Sequence, residues 1–313
     1  MFFAASEFRL PFWQPIWPPI AIGALFSITA TLAMTQSPTA AVAASAATAK
    51  PGQIRLGSFM VNRIGLGTNR ITDTEAAHTM LRRAVKLGIN FIDTAELYQS
   101  TRSEETIGKT LAPYPEGVVI ATKGGMSFKD SSAINDSSYL RHAVEGSLER
   151  LKTHQIDLYQ LHRTDPAVPI EQTAAVLKSF LDDGKARNIG LSEVSVEQIE
   201  RFRKIVPVVS VQNQYNIIER KHEAVLEYCE QEGIAFIPWY PIAKGKAESP
   251  VLHNIAERHG VTPVQISIAW LLRRSPVMLP IPGTLSVKHL EENIAAASIE
   301  LSDEEFEQLS NGR

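Results

Sequence analysis

The sequence predicts a single (β/α)₈ TIM barrel with an N-terminal β-hairpin floor and a short C-terminal helix. Three observations carry that reading. Eight short apolar runs recur along the chain, each followed by a helix-period pattern long enough for a parallel crossover. The runs are apolar nearly throughout rather than alternating, as strands buried on both faces must be. The part from Lys50 to Arg313 also has the length of such a barrel, about 250 residues. Residues 1–50 read as a separate leader and 51–313 as one barrel domain.

Taken in order, the segment Ile54 to Val61 alternates around a Gly57-Ser58 turn, which predicts a hairpin closing the barrel floor. The first barrel strand is expected at Ile64–Leu66. In the helix that follows, Thr72 and Glu75 have capping-box spacing, and Ala77, Met80, Leu81, Ala84 and Val85 share one face. Gly88 ends it at C′. Strands two to four are expected at Ile89–Ile92, Val118–Thr122 and Ile156–Leu161. A helix ending near Gly184 leads into Asn188–Leu191, and the sixth run is Val208–Val211. Another helix ends at Gly233 and leads into Ile234–Pro238, and the eighth run is Val277–Ile281. Ser302 and Glu305 would cap the short terminal helix.

Of 313 residues 44% are hydrophobic and 21% charged, which excludes wholesale disorder and a multi-span membrane protein. A net charge of −3 argues against nucleic acid as a partner. The single cysteine, Cys229, can form neither an internal disulfide nor a Cys-based zinc site, and it shares an apolar helix face with Val225 and Leu226. The eight histidines contain no His-Glu-x-x-His, so no metal is expected.

The leader is a different material. From Leu10 to Ala49 there is no charged side chain, and Ile16 to Met34 is apolar enough for a signal-peptide core or one span of roughly 20 residues. Ala41-Val42-Ala43 offers a cleavage site, yet Arg9 is balanced by Glu7 and Pro18-Pro19 interrupts the run. Three readings remain open. Met34 is the working start before an Ala/Ser/Thr tail, or the segment is an export signal or anchor, or it targets an organelle. A cytoplasmic location is expected, with membrane association only if the leader is retained as an anchor.

In a barrel of this kind chemistry gathers where the strands end. Strand two ends in Asp93 with Tyr98 five residues on, strand three in Thr122-Lys123, strand four in His162. Strand five ends in Ser192-Glu193, strand six in Gln212-Asn213, strand seven in Trp239-Tyr240. Asp93, Tyr98, Lys123 and His162 form a coherent proton-donating set. A phenol titrating at about 10 is a poor acid at neutral pH. A nearby ammonium lowers that value, a carboxylate holds the ammonium, and an imidazole can hydrogen-bond a carbonyl. The plain competitor is a buried Asp93–Lys123 pair and a satisfied core histidine, but four such residues at consecutive strand ends favour chemistry.

Asp93-Thr94-Ala95-Glu96-Leu97-Tyr98, Ala121-Thr122-Lys123, Leu161-His162 and Ile189-Gly190-Leu191-Ser192 together resemble the aldo-keto reductase superfamily. Val211 to Asn216, Ile281-Pro282-Gly283-Thr284 and Glu292-Asn293 follow in the same order, so the resemblance runs from about Ile54 to Leu309. Gln212–Arg220, Pro238–Ile242 and Leu279–Asn293 resemble the pyridoxal reductase-like, general aldehyde reductase branch.

The resemblance implies NADPH, with NADH as the alternative, passing hydride to an aldehyde or ketone while Tyr98 acts as general acid. It implies that Ser192, Glu193 and Gln212 meet the carboxamide and that Trp239 lies on the nicotinamide. Gly67 and Thr68 would approach the cofactor, and Lys244 and Lys246 would grip its pyrophosphate. Pro282, Thr284, Ser286, His289, Glu292 and Asn293 would take the adenosine end. Three positions depart from the pattern: Glu193 stands for a common Asn, and Gly283 and His289 stand where studied members place Lys and Arg. Thr284, Ser286 and Lys288 could substitute on the phosphate. Met126, Phe128 and Arg163 are candidate substrate contacts, Arg163 for an anionic group.

Two competitors are defined enough to test. One is an open Rossmann sheet built on Gly65-Leu66-Gly67, although Arg70 occupies the place of the third glycine. The other is a non-catalytic, cofactor-sensing barrel subunit of a larger complex.

Overall fold

The computed structural model describes residues 52–245 and 249–311, so the leader (1–50) and Lys246 lie outside the described residues. The expected hairpin is present: β1 (Gln53–Leu56) pairs antiparallel with β2 (Phe59–Asn62), and Gly57 takes φ +59 at the turn. Seven parallel strands then lie side by side in chain order. They are β3 (Leu66–Gly67), β4 (Phe91–Asp93), β5 (Val119–Gly124), β6 (Leu158–Leu161), β7 (Ile189–Ser192), β8 (Ser210–Gln212) and β9 (Ala235–Phe236).

The eighth run, Val277–Ile281, does not form the expected strand. It makes one parallel bridge, with Phe236 N donating to Val277 O and Leu279 N to Phe236 O, both 2.8 Å. Pro280 and Pro282 have no N–H to give, so the ladder cannot continue. On its other side Gly65 N donates to Pro280 O at 2.9 Å, which closes the cylinder. At Gly67 a Cβ would come within 2.6 Å of Ile281 O, so that seam tolerates glycine only. The sheet is therefore a curled barrel and not an open doubly wound sheet.

The strands alternate with α1 (Glu75–Lys86), α2 (Arg102–Leu111), α3 (Ser137–Leu151), α4 (Ile170–Asp182), α5 (Val196–Arg203) and α6 (Glu223–Glu232). After β9 come α7 (Pro250–His259), α8 (Pro263–Arg274), α9 (Val287–Ala295) and α10 (Asp303–Asn311). Gly88, Gly184 and Gly233 carry positive φ where the first, fourth and sixth of these helices stop. The Thr72–Glu75 capping box does not form. Thr74 N donates to Thr72 O in a tight turn, the helix starts two residues later, and Thr74 is the residue that accepts Ala77 N. At the other end Ser302 and Glu305 do exchange reciprocal side-chain bonds, 3.0 and 3.2 Å.

Two apolar cores result. The larger lies between strands and helices. The smaller fills the barrel, where Phe91, Val119, Leu158, Ala235 and Leu279 pack with Ile54, Leu56 and Val61 of the hairpin. Each large side chain there contributes about 1.5–3 kcal/mol by leaving water. Among the described residues no helix is long and apolar enough to cross a membrane.

Candidate active site

Parallel register decides which side chains share the barrel interior. Asp93 pairs with Ala121, Lys123 with Gln160, Gln160 with Gly190, Gly190 with Ser210, and Ser192 with Gln212. Paired residues point to the same face and so do residues two apart. Asp93, Lys123, Gln160 and Gln212 therefore form one polar layer directly above the apolar disc. Gly190 leaves the gap this layer needs, since a Cβ there would sit 2.3 Å from Ser210 Oγ and 3.0 Å from Gln160 Cγ.

The layer is fully bonded around one carboxylate. Asp93 Oδ1 accepts from Lys123 Nζ at 2.6 Å, and Oδ2 accepts from Gln160 Nε2 at 3.1 Å and Gln212 Nε2 at 2.9 Å. Lys123 gives its other two protons to Thr94 O at 2.8 Å and Tyr98 Oη at 3.2 Å. An ammonium only donates. Tyr98 Oη must therefore accept from Lys123, and its own proton is free for the cavity it faces. Asp93 and Lys123 are both buried, and a pair in that position persists only when every lone pair and proton is satisfied, as here.

Tyr98 hangs from a loop that turns back sharply, with positive φ at Gln99, Ser100 and Thr101 before α2 begins. Burial raises its phenol above the ordinary value, outweighing the pull of Lys123. The group thus stays protonated, and the lowering expected from the ammonium is overcome by desolvation. Burial alone would lower the Lys123 ammonium, but Asp93 and Tyr98 beside it raise it above the usual lysine range. Burial, with the charges of Lys123 and Arg163, holds His162 far below the ordinary imidazole value, so it is neutral. Its Nδ1 is buried without a partner, which leaves Nε2 toward the cavity. The rings of Tyr98 and His162 meet edge to face at 5.9 Å. The arrangement can present two neutral donors, a phenol and an imidazole N–H, to one oxygen.

These groups floor a cavity of about 380 Å³ at the barrel mouth, also lined by Gly67, Thr68, Ser192, Gln212 and Trp239. Ser192 Oγ accepts from Arg163 Nη1 at 3.0 Å, so its hydroxyl proton is available. Gln212 has committed its amide nitrogen to Asp93, so its carbonyl oxygen is available. One donor beside one acceptor complements a primary carboxamide, and the partly buried Trp239 ring offers an apolar wall. A second cavity of about 690 Å³ shares Arg70, Ile242 and Gly283 with the first and extends along the start of α9. Thr284, Ser286, His289, Glu292 and Asn293 line it. The two together form a trough suited to a long, flat dinucleotide.

Other expected contacts fall elsewhere. Glu193 lines neither cavity: its Oε1 accepts from Trp239 Nε1 at 2.6 Å and Gln214 N at 2.7 Å, and its Oε2 lies 3.6 Å from His222 Nε2. Burial would raise its carboxyl, but these hydrogen bonds and Arg163 bring it down to about 2. Pro282 is buried between two lining residues without lining either cavity, and the exposed Lys288 turns toward Glu292, 3.7 Å away. Met126 and Phe128 stand off the catalytic cavity in the loop before α3. Of Lys244 only the backbone is described, in the turn Ala243–Gly245. Sequence reasoning passed over Gln160, although a lone amide inside Leu158–Leu161 was a usable signal. It also passed over Arg70 as a wall of both cavities.

Comparison with known proteins agrees with the barrel fold. The model of the aldo/keto reductase family matches residues 62–311. An uncharacterized oxidoreductase of Schizosaccharomyces pombe is 45% identical over 272 residues, covering 82% of this chain and 89% of its own. Pyridoxine 4-dehydrogenase of Escherichia coli is 37% identical over 268 residues, 80% of this chain and 94% of its own. A crystal structure of an aldo/keto reductase from Klebsiella pneumoniae, in complex with NADP and acetate, superposes with a TM-score of 0.74. It is 28% identical and covers 83% of this chain and 94% of that one.

Proposed function

The chain belongs to the aldo/keto reductase family, and from that premise we propose that it reduces an aldehyde or ketone to an alcohol with Tyr98 as proton donor. As a member it is an NAD(P)H-dependent oxidoreductase. NADPH is the cofactor carried over from its relatives, and the trough's carboxamide-matching pair, Ser192 and Gln212, supports it. NADH remains the alternative cofactor. When bound, the cofactor supplies a hydride to the carbonyl carbon.

The residues do the rest. Tyr98 and His162 both donate to the carbonyl oxygen, which polarises it and stabilises charge as it develops there. Tyr98 then releases its proton to that oxygen, and Lys123, held charged by Asp93, stabilises the phenolate left behind. Gln160 and Gln212 keep Asp93 from turning away from Lys123. Ser192, Gln212, Gly67, Thr68 and Trp239 take the reacting end of the cofactor. Glu193 acts on it through Trp239, and Thr284, Ser286, His289, Glu292 and Asn293 take the adenosine end.

The observation that carries this reading is the Lys123 ammonium bridging Asp93 and Tyr98 at the floor of the cavity. Tyr98→Phe tests it, and NADPH oxidation with short aldehydes should fall at least about 100-fold while NADPH affinity changes little. A variant retaining a tenth or more of the rate would refute the role of Tyr98. NADPH binding by the unaltered protein with no aldehyde turned over would favour a cofactor-sensing subunit instead.

A further inference from the structure

The catalytic cavity contains a cation that proton transfer does not use. Arg163 follows His162 directly and lines the same cavity. Its Nη1 donates to His162 O at 2.8 Å and Ser192 Oγ at 3.0 Å. Among the described residues Nε and Nη2 make no hydrogen bond, and neither is sealed off from the cavity. Other partly buried arginines are answered. Arg150, Arg203 and Arg274 each reach a carboxylate within 2.7 Å, and Arg63 is wrapped by the carbonyls of Leu272, Ser275 and Met278.

Among the described residues, no acid lining the cavity is free to answer Arg163. Asp93 is filled by Lys123, Gln160 and Gln212. Glu193, the carboxylate whose charge Arg163 feels, is engaged by Trp239, Gln214 and His222. Trp239 closes one side, its ring 6.0 Å from the guanidinium carbon. A second arginine, Arg70, is exposed and lines the same cavity. Among the described residues that line this space, an anion meets two cations and no unpaired acid.

A partly buried guanidinium keeps its charge, and its planar fork matches two oxygens of one oxyanion. We infer that the carbonyl substrate carries an oxyanion group, a carboxylate or a phosphate, which Arg163 holds while Tyr98 and His162 address the carbonyl. This rests on the reductase reading above and names the substrate class for that same site. Because Arg163 and His162 are consecutive, the anion and the carbonyl belong to one small molecule with only a few bonds between them. Chain-length preference follows from the same spacing.

Matched substrates test the idea: 4-oxobutanoate against butanal for a carboxylate, and glyceraldehyde 3-phosphate against glyceraldehyde for a phosphate. In at least one pair the anion should show a kcat/KM about tenfold or more above its neutral partner, carried by KM. Arg163→Met should lower kcat/KM for the anion at least about tenfold more than for its neutral partner, and Arg163→Lys should restore part of that preference. Equal rates within both pairs for the unaltered protein would overturn the assignment. So would an Arg163→Met variant slowed equally on charged and neutral substrates, since the arginine would then only brace Ser192 and His162.

Should the variant not fold, the unaltered protein still decides. Raising salt from about 20 to about 500 mM must lift KM for the anion and not for its neutral partner. If no carbonyl is reduced at all, the reductase reading fails separately. Butanedioate binding to the NADP-loaded protein, followed by tryptophan emission, then reads the anion site alone, and no binding overturns it.

Discussion

Glu96 lies two residues before Tyr98 and is almost fully buried, with Arg150 Nη2 3.8 Å from its carboxylate. Burial pushes its carboxyl up to about 7, against the pull of Arg150. An acid whose value is raised on folding binds its proton more tightly in the folded state. Its effect is absent below the unfolded value near 4.5 and grows as pH rises through 7, where the ionised form destabilises the fold. Glu96→Gln should therefore be more stable than the parent at pH 8 by about 1–3 kcal/mol, with the gap closing near pH 4.5. Urea unfolding at both pH values checks this, and a difference independent of pH would refute it. At this same scale the sequence was readable by type and not by direction. Asp93, Tyr98, Lys123 and His162 stood out as chemistry-bearing residues. Nothing in the spacing said that Glu193 would turn back to hold the Trp239 indole. That turn follows from its φ of +54, a conformation costing a non-glycine residue about 1 kcal/mol and recovered through bonds to Trp239 and Gln214.

Helix and strand ends show where periodicity stops being informative. Thr72 and Thr74 both precede a helical pattern, and capping-box spacing selects the wrong one. The turn at Thr72 starts α1 later, so Thr74 alone accepts an amide proton. Thr74→Ala should cost about 1 kcal/mol in urea unfolding and Thr72→Ala a few tenths at most, and the reverse ranking would contradict the cap. Apolar runs likewise located every barrel strand but set several limits early. Asp93, Lys123, Ser192 and Gln212 lie within their strands and not after them, because the ladder bonds backbone groups whatever the side chain. The eighth run failed as a strand for the opposite reason: Leu279-Pro280-Ile281-Pro282 is apolar enough but lacks the donors.

For the molecule as a whole, the barrel stacks a polar layer on an apolar disc, and the disc rests on the hairpin. The fold holds Asp93, Tyr98, Lys123 and His162 in place before any ligand arrives, so binding should rigidify little and stabilise with the logarithm of the free ligand concentration. NADPH at about 100 times its dissociation constant should add about 2.7 kcal/mol, raising Tm by roughly 5–10 °C. Scanning calorimetry with NADPH and with NADH gives both the shift and the cofactor preference, and no shift with either would count against a dinucleotide in the trough. The hairpin has one more effect. Together with the apolar disc above it, it makes the barrel a bucket and not a pipe, so reactants reach the polar layer from one end. A long cofactor laid over that opening would become the roof beneath which the smaller molecule must slip. Turnover by the proposed reductase should then follow a compulsory order, with the dinucleotide first in and last out.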